Sequence, residues 1–483
     1  MKDMQTIVNL AKARGFVYQW SEIYWGLANA WDYGPLGSLL KENIKNLWIR
    51  EFVQKRTDMT LLDAAILMNP SVWIASGHVG GFSDPLVDDK KTKERFRADK
   101  LLENLIDEKE SELGSRDAVL TRFQWLYAIN NLIPESWTFE QQGAVLIGEK
   151  VKNPNNNEEA DWTEVKKFNL MFRTFQGVTE DSSATIYMRP ETAQGIFVNF
   201  PNIVRSSRKK VPFWVAQVGK AFRNEITPGN FIFRTREFEQ MEIEFFCEPE
   251  SVAPGKHLEW HAAWKDACKK FLLETLSITE SNLRFRDHEK DELSFYSAAT
   301  TDIEYKFPFG WGELWGIADR TDHDLKAHMG ESKQDLSYFD PYTNQKYLPY
   351  VIEPSVGLTR LFLATLLDAY DEIETEEGSR VVLRFHPRVA PIKVAVFPIV
   401  KKLAEQGRAI FDLLAGDFQV EYDETGAVGK RYYRADEMGI PFSIVVDDEH
   451  YNAGSVTVRH RDSGEQEVVR IDELVEWVRT RVR

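Results

Sequence analysis

The sequence predicts an α+β domain built on an antiparallel sheet with helices, followed by a small C-terminal α/β domain. Three observations carry this. The chain has 483 residues, beyond the size at which one core keeps growing. From Phe168 to Phe246, β-branched and aromatic residues alternate with polar ones, the pattern of half-buried strands. After Ala390, short apolar runs alternate with helical text over about 90 residues, as in a small α/β unit. Hydrophobic residues make up 43% of the chain, with 14 Trp, 16 Tyr and 30 Phe, which excludes intrinsic disorder. Lys and Arg number 60 against 76 Asp and Glu, and the net charge of −16 taken in bulk argues against a nucleic-acid partner. Two cysteines, Cys247 and Cys268, are too few for a disulfide framework or a cysteine zinc site and fit a reducing compartment. The N-terminal text MKDMQTIVNLAKARGF lacks the apolar run of a signal peptide, and no window approaches a membrane span. The expectation is a cytoplasmic protein with no membrane partner.

In chain order, Tyr33-Gly34-Pro35-Leu36-Gly37 is a turn that opens a helix-like run from Leu39 to Lys55. Charged, helical text from about Asp84 to Asp161 closes in the loop Asn153-Pro154-Asn155-Asn156-Asn157 and reads as an insertion. Strand-like text then fills Phe168 to Phe246. Pro254 to Leu276 is helical, and strands return at Trp311–Ala318 and Tyr347–Glu353. The acidic stretch Asp371–Ser379 has no apolar period and marks a second shift in composition. Beyond it lie a buried strand at Lys393–Pro398, a helix at Lys401–Leu414, strands at Phe442–Val446, Ser455–Arg459 and Glu467–Arg470, and a helix from Asp472.

Three segments carry chemistry. In Phe213–Phe246 two extended runs flank Thr227-Pro228-Gly229-Asn230, where Pro followed by Gly suits a type II turn. In the resulting hairpin, alternation places Arg234, Arg236, Phe238, Gln240 and Glu242 on one face, and Phe233, Met241, Ile243 and Phe245 toward a core. Gln217, Gly219, Ala221, Arg223 and Glu225 share a face of the partner strand, and Gly219 leaves room above the sheet. Guanidinium groups, a flat ring and a carboxylate in a row suit a triphosphate, a purine and an ammonium group. In Lys346–Tyr370 a strand runs through Glu353-Pro354-Ser355-Val356-Gly357 into a helix with Arg360 in its first turn. A cation there opposes the helix dipole unless an anion sits at the helix start. Asp32–Arg50 is a Gly-Pro turn leading a long amphipathic helix.

Together these segments resemble motifs one, two and three of a class II aminoacyl-tRNA synthetase. Arg189–Phe197 (RPETAQGIF), Gly219–Phe246, Gly312–Leu325 (GELWGIADRTDHDL) and Tyr350–Arg360 (YVIEPSVGLTR) are similar to the homodimeric form of glycyl-tRNA synthetase, and Ala390–Pro398 with Asp423–Phe442 resemble its anticodon-binding domain. The resemblance implies a class II catalytic domain over 1–84 and 162–385, an insertion domain over 85–161 and an anticodon-binding domain over 390–483. It implies glycine activation by ATP with Mg²⁺, transfer to the 3′ end of tRNA(Gly), and a homodimer. By the same resemblance Arg223 holds the α-phosphate, with Asn224 and Glu225 beside it. Phe233, Arg234, Thr235, Arg236, Glu237 and Phe238 line the nucleotide, Arg234 toward the phosphates and Phe238 on adenine. Glu313 and Leu314 close the pocket, and Gly357, Leu358 and Thr359 bring Arg360 to the γ-phosphate. Arg223 and Arg360 are the expected catalytic groups. Glycine is expected to meet Glu191, Glu242, Glu353 and Ser355, with Arg97, Phe238, Glu239, Gln240, Met241, Pro354, Val356 and Gly357 around them.

The chain departs from that family at Trp20 and Trp25, where Ser and Gly are usual, and at His460, where Asp is expected. The insertion lacks the cysteines that bind zinc in some relatives, so no zinc and no protein-bound metal site is expected. His257 and His261 read as surface histidines rather than zinc ligands, and Asp322, His323, Asp324 and His328 as structural support. Glu424 to Lys430 lacks the first glycine of a phosphate loop. Arg205, Arg208, Lys209 and Lys210, and Lys430, Arg431 and Arg434, are basic clusters that could face tRNA phosphates. Two other readings stay open: an inactive synthetase-like RNA-binding protein, and a prolyl or threonyl synthetase.

Overall fold

A seven-stranded sheet organises the larger part of the molecule, in the order Leu283–Asp287, Ala299–Phe307, Gly310–Thr321, Tyr350–Gly357, Glu237–Cys247, Phe213–Phe222 and Met59–Leu61. All neighbours are antiparallel except the last pair. The computed structural model describes residues 3–129, 137–178, 184–226, 229–289, 293, 297–375 and 378–482. Period-two alternation gives the sheet two different faces. Met241, Ile243, Phe245, Trp315 and Ile317 bury one face against the helices Pro35–Ile49, Lys256–Lys270 and Leu358–Ala369, which supply Leu40, Ile44, Trp48, Trp264 and Phe362. The first of these helices starts with Pro35, whose missing N–H costs nothing in a first turn. Gly37 follows because a Cβ there would lie 1.8 Å from the Phe16 carbonyl oxygen. The opposite face is apolar only at one end, where Phe197 and Phe200 of the helix Ala193–Ser207 pack on Phe213 and Phe246. Its other end carries Gln240 and Glu242, and the cavity opens there.

Residues between Val87 and Trp162 form a separate core, with Leu102, Ile106, Phe123, Val145 and Trp162 buried together. The C-terminal sheet runs Val420–Tyr422, Val394–Pro398, Phe442–Val446, Ser455–His460 and Gln466–Arg470. Its first three strands are parallel and the rest antiparallel, around a core of Val396, Ile410, Ile444, Val458 and Leu474. Asn43 of the long N-terminal helix donates to the carbonyls of Val389 (3.2 Å) and Ala390 (2.9 Å), fixing the approach to this sheet. Among the described residues no helix is long and apolar enough to cross a membrane.

Several expectations need correction. The strand-like text of Phe168–Phe246 contains the helix Ala193–Ser207, because Ile196, Phe197, Phe200 and Ile203 follow the 3, 4 spacing of a buried helical stripe. The regular ladder of the expected hairpin ends at the pair Phe222–Glu237, and beyond it, among the described residues, only an isolated bridge between Gly229 and Arg234 remains. Asn230 and Phe231 adopt φ of 55° and 59°, which breaks the extended run. The Pro228 position of the expected turn lies outside the described residues. Within the acidic stretch Asp371–Ser379, the described residues lie on two paired strands, Tyr370–Thr375 and Gly378–Leu383. His257 and His261 are both buried, bonded to Asp319 and to the Ile317 carbonyl (3.0 Å), and are not surface histidines. Arg431 is buried as well, donating to the carbonyls of Pro398, Glu424 and Gly426, and so is removed from the expected basic cluster. Arg434 is held by Asp423.

Candidate active site

The strands Glu237–Cys247, Tyr350–Gly357 and Gly310–Thr321 lie side by side, so alternate residues of each project into one cavity of about 350 Å³. Register sets Glu242 opposite Ser355 and Ala318 opposite Glu353. The cavity has two chemically distinct ends. At one, Arg223, Arg234 and Arg360 converge with Glu225, Glu313 and Phe233. At the other, Glu191, Glu242 and Glu353 converge with Arg320 and Ser355. Phe238 and Gln240 stand on the wall between Arg234 and Glu242 along the chain.

At the cationic end, Arg223 donates to the Pro190 carbonyl (3.0 Å) and its guanidinium lies 5.3 Å from the Phe238 ring centre. Arg360 donates to the carbonyl and carboxylate of Glu313, both at 3.0 Å, and lies 4.4 Å over the Phe233 ring. Its backbone stands in the first turn of the helix Leu358–Ala369, whose N-terminal N–H groups are free to meet an anion. Asp302 and His288 pair at 2.8 Å beside Glu313; burial and the Glu313 charge raise the Asp302 carboxyl.

At the acidic end, Arg320 is the central cation. It donates to both oxygens of Asp324 (2.7 and 2.8 Å) and to Glu353 (2.7 Å), with the side chain only 6% exposed. Gln194 bonds Glu191 (2.8 Å) and Asp324 (2.9 Å), and His328 bonds Gln194 (2.7 Å). Thr192 donates to Glu242. Burial followed by the charge of Glu191 raises the Glu242 carboxyl. Burial also pushes Glu353 up to about 8 against the opposing charge of Arg320, with Glu242, Glu191 and Asp324 adding to the rise. Burial acts on Glu191 too, but His78 at 3.5 Å, Arg320 and Gln194 outweigh it and hold that carboxyl below the usual range. Such a group of carboxylates around one guanidinium attracts a primary ammonium.

The expected site residues divide by strand alternation and by the irregular connector 223–236. Arg223, Glu225, Phe233, Arg234, Thr235, Phe238, Gln240, Glu242, Glu191, Glu313, Glu353, Ser355, Gly357, Thr359 and Arg360 line the cavity. Leu314, Met241, Val356 and Leu358 are buried in the apolar core on the other face, so their side chains point away from it. Pro354 is buried between Glu353 and Ser355 and does not reach it. Asn224, Arg236, Glu237 and Glu239 instead line a second, more apolar cavity of about 790 Å³ with Trp20, Trp31 and Phe222, which shares only Phe238 and Thr359 with the first. Arg236 donates there to the Ala28 carbonyl (3.1 Å), because the chain bends at Arg236 before the strand begins at Glu237, so alternation does not carry over from Arg234. Arg97 is bonded to Asp84 and Asp99 and acts on Glu225 only through its charge. The room at Gly219 is taken by Arg189, whose Nη2 would lie 2.2 Å from a Cβ there. Trp25 is 92% exposed and lines neither cavity. Sequence reasoning passed over Arg320, Asp302, His288 and Thr300. Arg320 was signalled by period two: it follows Gly316 and Ala318 on the same face of one strand.

This combination, an antiparallel sheet with arginines and glutamates on one face and a separate α/β domain after it, defines a class II aminoacyl-tRNA synthetase. Residues 174–370 match the tRNA synthetase class II core domain (G, H, P, S and T), and residues 393–481 match an anticodon binding domain. The chain is 56% identical over 483 residues to a glycine–tRNA ligase of Clostridium acetobutylicum, covering 100% of this chain and 99% of that one. It is 56% identical over 478 residues to the glycine–tRNA ligase of Acetivibrio thermocellus, covering 99% and 98%. To that of Bacillus thuringiensis it is 54% identical over 483 residues, covering both chains fully. The chain belongs to the glycine–tRNA ligase family. That membership favours glycine–tRNA ligation over the prolyl and threonyl readings and over an inactive RNA-binding protein.

Proposed function

We propose that the chain activates glycine with ATP to glycyl-adenylate and pyrophosphate, then transfers the glycyl group to the 3′ end of tRNA(Gly). The observation that carries this reading is the division of one cavity into an arginine end and a glutamate end. Glu191, Glu242 and Glu353 bind the ammonium of glycine, a substrate with no side chain to read. Larger amino acids are rejected by lack of space, since one extra carbon in an accommodating pocket discriminates by only about 1–3 kcal/mol. Arg234 and Arg360 hold the β- and γ-phosphates, Arg223 the α-phosphate, and Phe238 stacks on adenine. The glycine carboxylate is already a nucleophile. Attack on the α-phosphorus therefore needs no general base, and positioning with charge neutralisation lowers the barrier.

ATP enters with Mg²⁺, and the oxygen donors of Asp302 and Glu313 at the phosphate end fit a hard cation that neutralises phosphate charge. No zinc site is proposed, since both cysteines are buried in the apolar core. Residues 1–84 and 162–385 form the catalytic domain, 85–161 the insertion and 390–483 the anticodon-binding domain. The protein acts in the cytoplasm as a homodimer; the exposed apolar run of Trp20, Ile23, Tyr24, Trp25 and Leu27 supports a face covered by a second copy. ATP–pyrophosphate exchange with glycine, alanine, serine and proline in parallel tests the reaction. Exchange with glycine alone is expected; equal or faster exchange with alanine or serine would overturn the substrate, and no exchange the activity.

A further inference from the structure

Behind the ammonium-binding end lies a carboxyl group that the proposed reaction does not use. Glu244 follows Glu242 by two residues on the same strand face, and the register that sets Glu242 opposite Ser355 brings it opposite Glu353. Its side chain is fully buried, and neither of its oxygens has a hydrogen-bond partner among the described residues. One oxygen from each of Glu242, Glu244 and Glu353 lies within 4.8 Å of the others. The groups facing this cluster are Arg320 from the neighbouring strand, Asp324 and His328 from the helix His323–Ser332, and, from the segment before Ala193, Glu191 and Arg189, the latter acting on Glu242 while it donates to the Lys220 and Ala64 carbonyls. Arg320 is already shared between Asp324 and Glu353. His328 is kept from protonating by its burial and bonds Gln194 instead. Ionised carboxylates only accept hydrogen bonds, so an ionised Glu244 this close to Glu242 and Glu353, beside guanidinium groups already committed elsewhere, would stand as a bare buried charge.

We propose that Glu244 is a positioning residue of the amino-acid subsite: a protonated carboxyl that donates a hydrogen bond to Glu242 or Glu353 and orients them toward a primary ammonium. This rests on the reading of the cavity as the glycine site. The proton removes a like charge from the cluster and turns an unpartnered acceptor into a donor, which satisfies both groups at once. Burial and the charges of Glu353 and Glu242 act in the same direction on this carboxyl.

The test compares Glu244→Gln, whose amide still donates, with Glu244→Leu, which is neutral but cannot. In glycine-dependent ATP–pyrophosphate exchange, Glu244→Gln is expected to keep the glycine KM within about threefold, while Glu244→Leu raises it about tenfold with the ATP KM unchanged, the loss of one charge-assisted hydrogen bond. In the infrared difference spectrum at pH 7.5, wild type minus Glu244→Gln should show the C=O band of a protonated carboxyl. Absence of that band overturns the proposal whether or not Glu244→Leu folds, and it is the result expected if a bound cation replaces the proton. Equal KM increases in both variants, or no change in either, also overturn it. Wild-type exchange with glycine checks the cavity reading separately, since the infrared band does not depend on it.

Discussion

Replacing Arg320 by Met removes the guanidinium that lines the acidic end of the cavity while keeping its bulk. In the native protein three of its hydrogen bonds, between 2.7 and 2.8 Å, reach Asp324 and Glu353 in a place where the side chain is 6% exposed. At 2.7 Å the Coulomb attraction to Glu353 alone is on the order of 6 kcal/mol at an effective dielectric near 20, most of it spent against desolvation. The measurable loss is that of a broken buried pair, about 3–5 kcal/mol. It is also pH dependent. Arg320 is the main charge holding Asp324 below its ordinary value against burial. Without it the folded-state pKa of Asp324 rises above the unfolded value, and Glu353, already raised, rises further. A folded state that binds more protons than the unfolded one loses stability as pH increases, so the deficit of the variant is larger at pH 8 than at pH 6. Urea denaturation followed by tryptophan fluorescence at both pH values measures it. A deficit under about 1 kcal/mol at pH 8, or one equal at the two pH values, would show that Arg320 is not the neutralising group.

Arg223→Ala should lower kcat/KM for pyrophosphate exchange by at least about a hundredfold with folding intact, the typical effect of removing a donor aimed at transition-state charge; near-normal exchange sinks its assignment. Gly219→Ala places a Cβ 2.2 Å from Arg189 Nη2 and should displace a guanidinium that braces the Lys220 and Ala64 carbonyls, lowering stability by about 1–3 kcal/mol in the same urea assay. Lys333→Gly should raise stability by about 1 kcal/mol and leave glycine exchange unchanged: Lys333 is exposed and holds φ at 59° at the end of the helix His323–Ser332, a left-handed conformation that costs a side-chain-bearing residue but not Gly.

Alternation made the central strands legible, because sheets with one polar face print a period of two in the text. Gln240 and Glu242 could therefore be placed on one surface from the pattern alone, while Glu353 and Ser355 joined them only through the family resemblance. The same rule failed for Arg236, since nothing in Thr235-Arg236 announces that the chain bends just before the strand begins at Glu237. It also misled over Ala193–Ser207, whose β-branched and aromatic residues suit a strand locally but bury a helical stripe against Phe213 and Phe246. Arg189 illustrates a third kind of silence. A glycine in a strand announces a close approach but not what approaches, and here it is a guanidinium where a substrate was expected.

The net charge of −16 first argued against a nucleic-acid partner, and the arrangement of the cavity shows why a bulk figure misleads. Along a single strand, Phe238, Gln240 and Glu242 lead from arginines to glutamates at about 6.6 Å per pair of residues. Under the proposed reading, a triphosphate placed at the glutamate end would face Glu191, Glu242 and Glu353, and an ammonium at the other end would face Arg223, Arg234 and Arg360. Either reversal puts like charges together in a partly buried site, where repulsion costs several kcal/mol. The orientation of both substrates is thus set by charge before any shape is read, and the carboxylate of an amino acid whose ammonium is held at Glu242 and Glu353 is directed back toward Arg223, where the α-phosphorus would lie. Acidic residues at this end are therefore part of how an anionic nucleotide is aligned, and a chain can be strongly acidic overall while presenting its few converging arginines where phosphate must go.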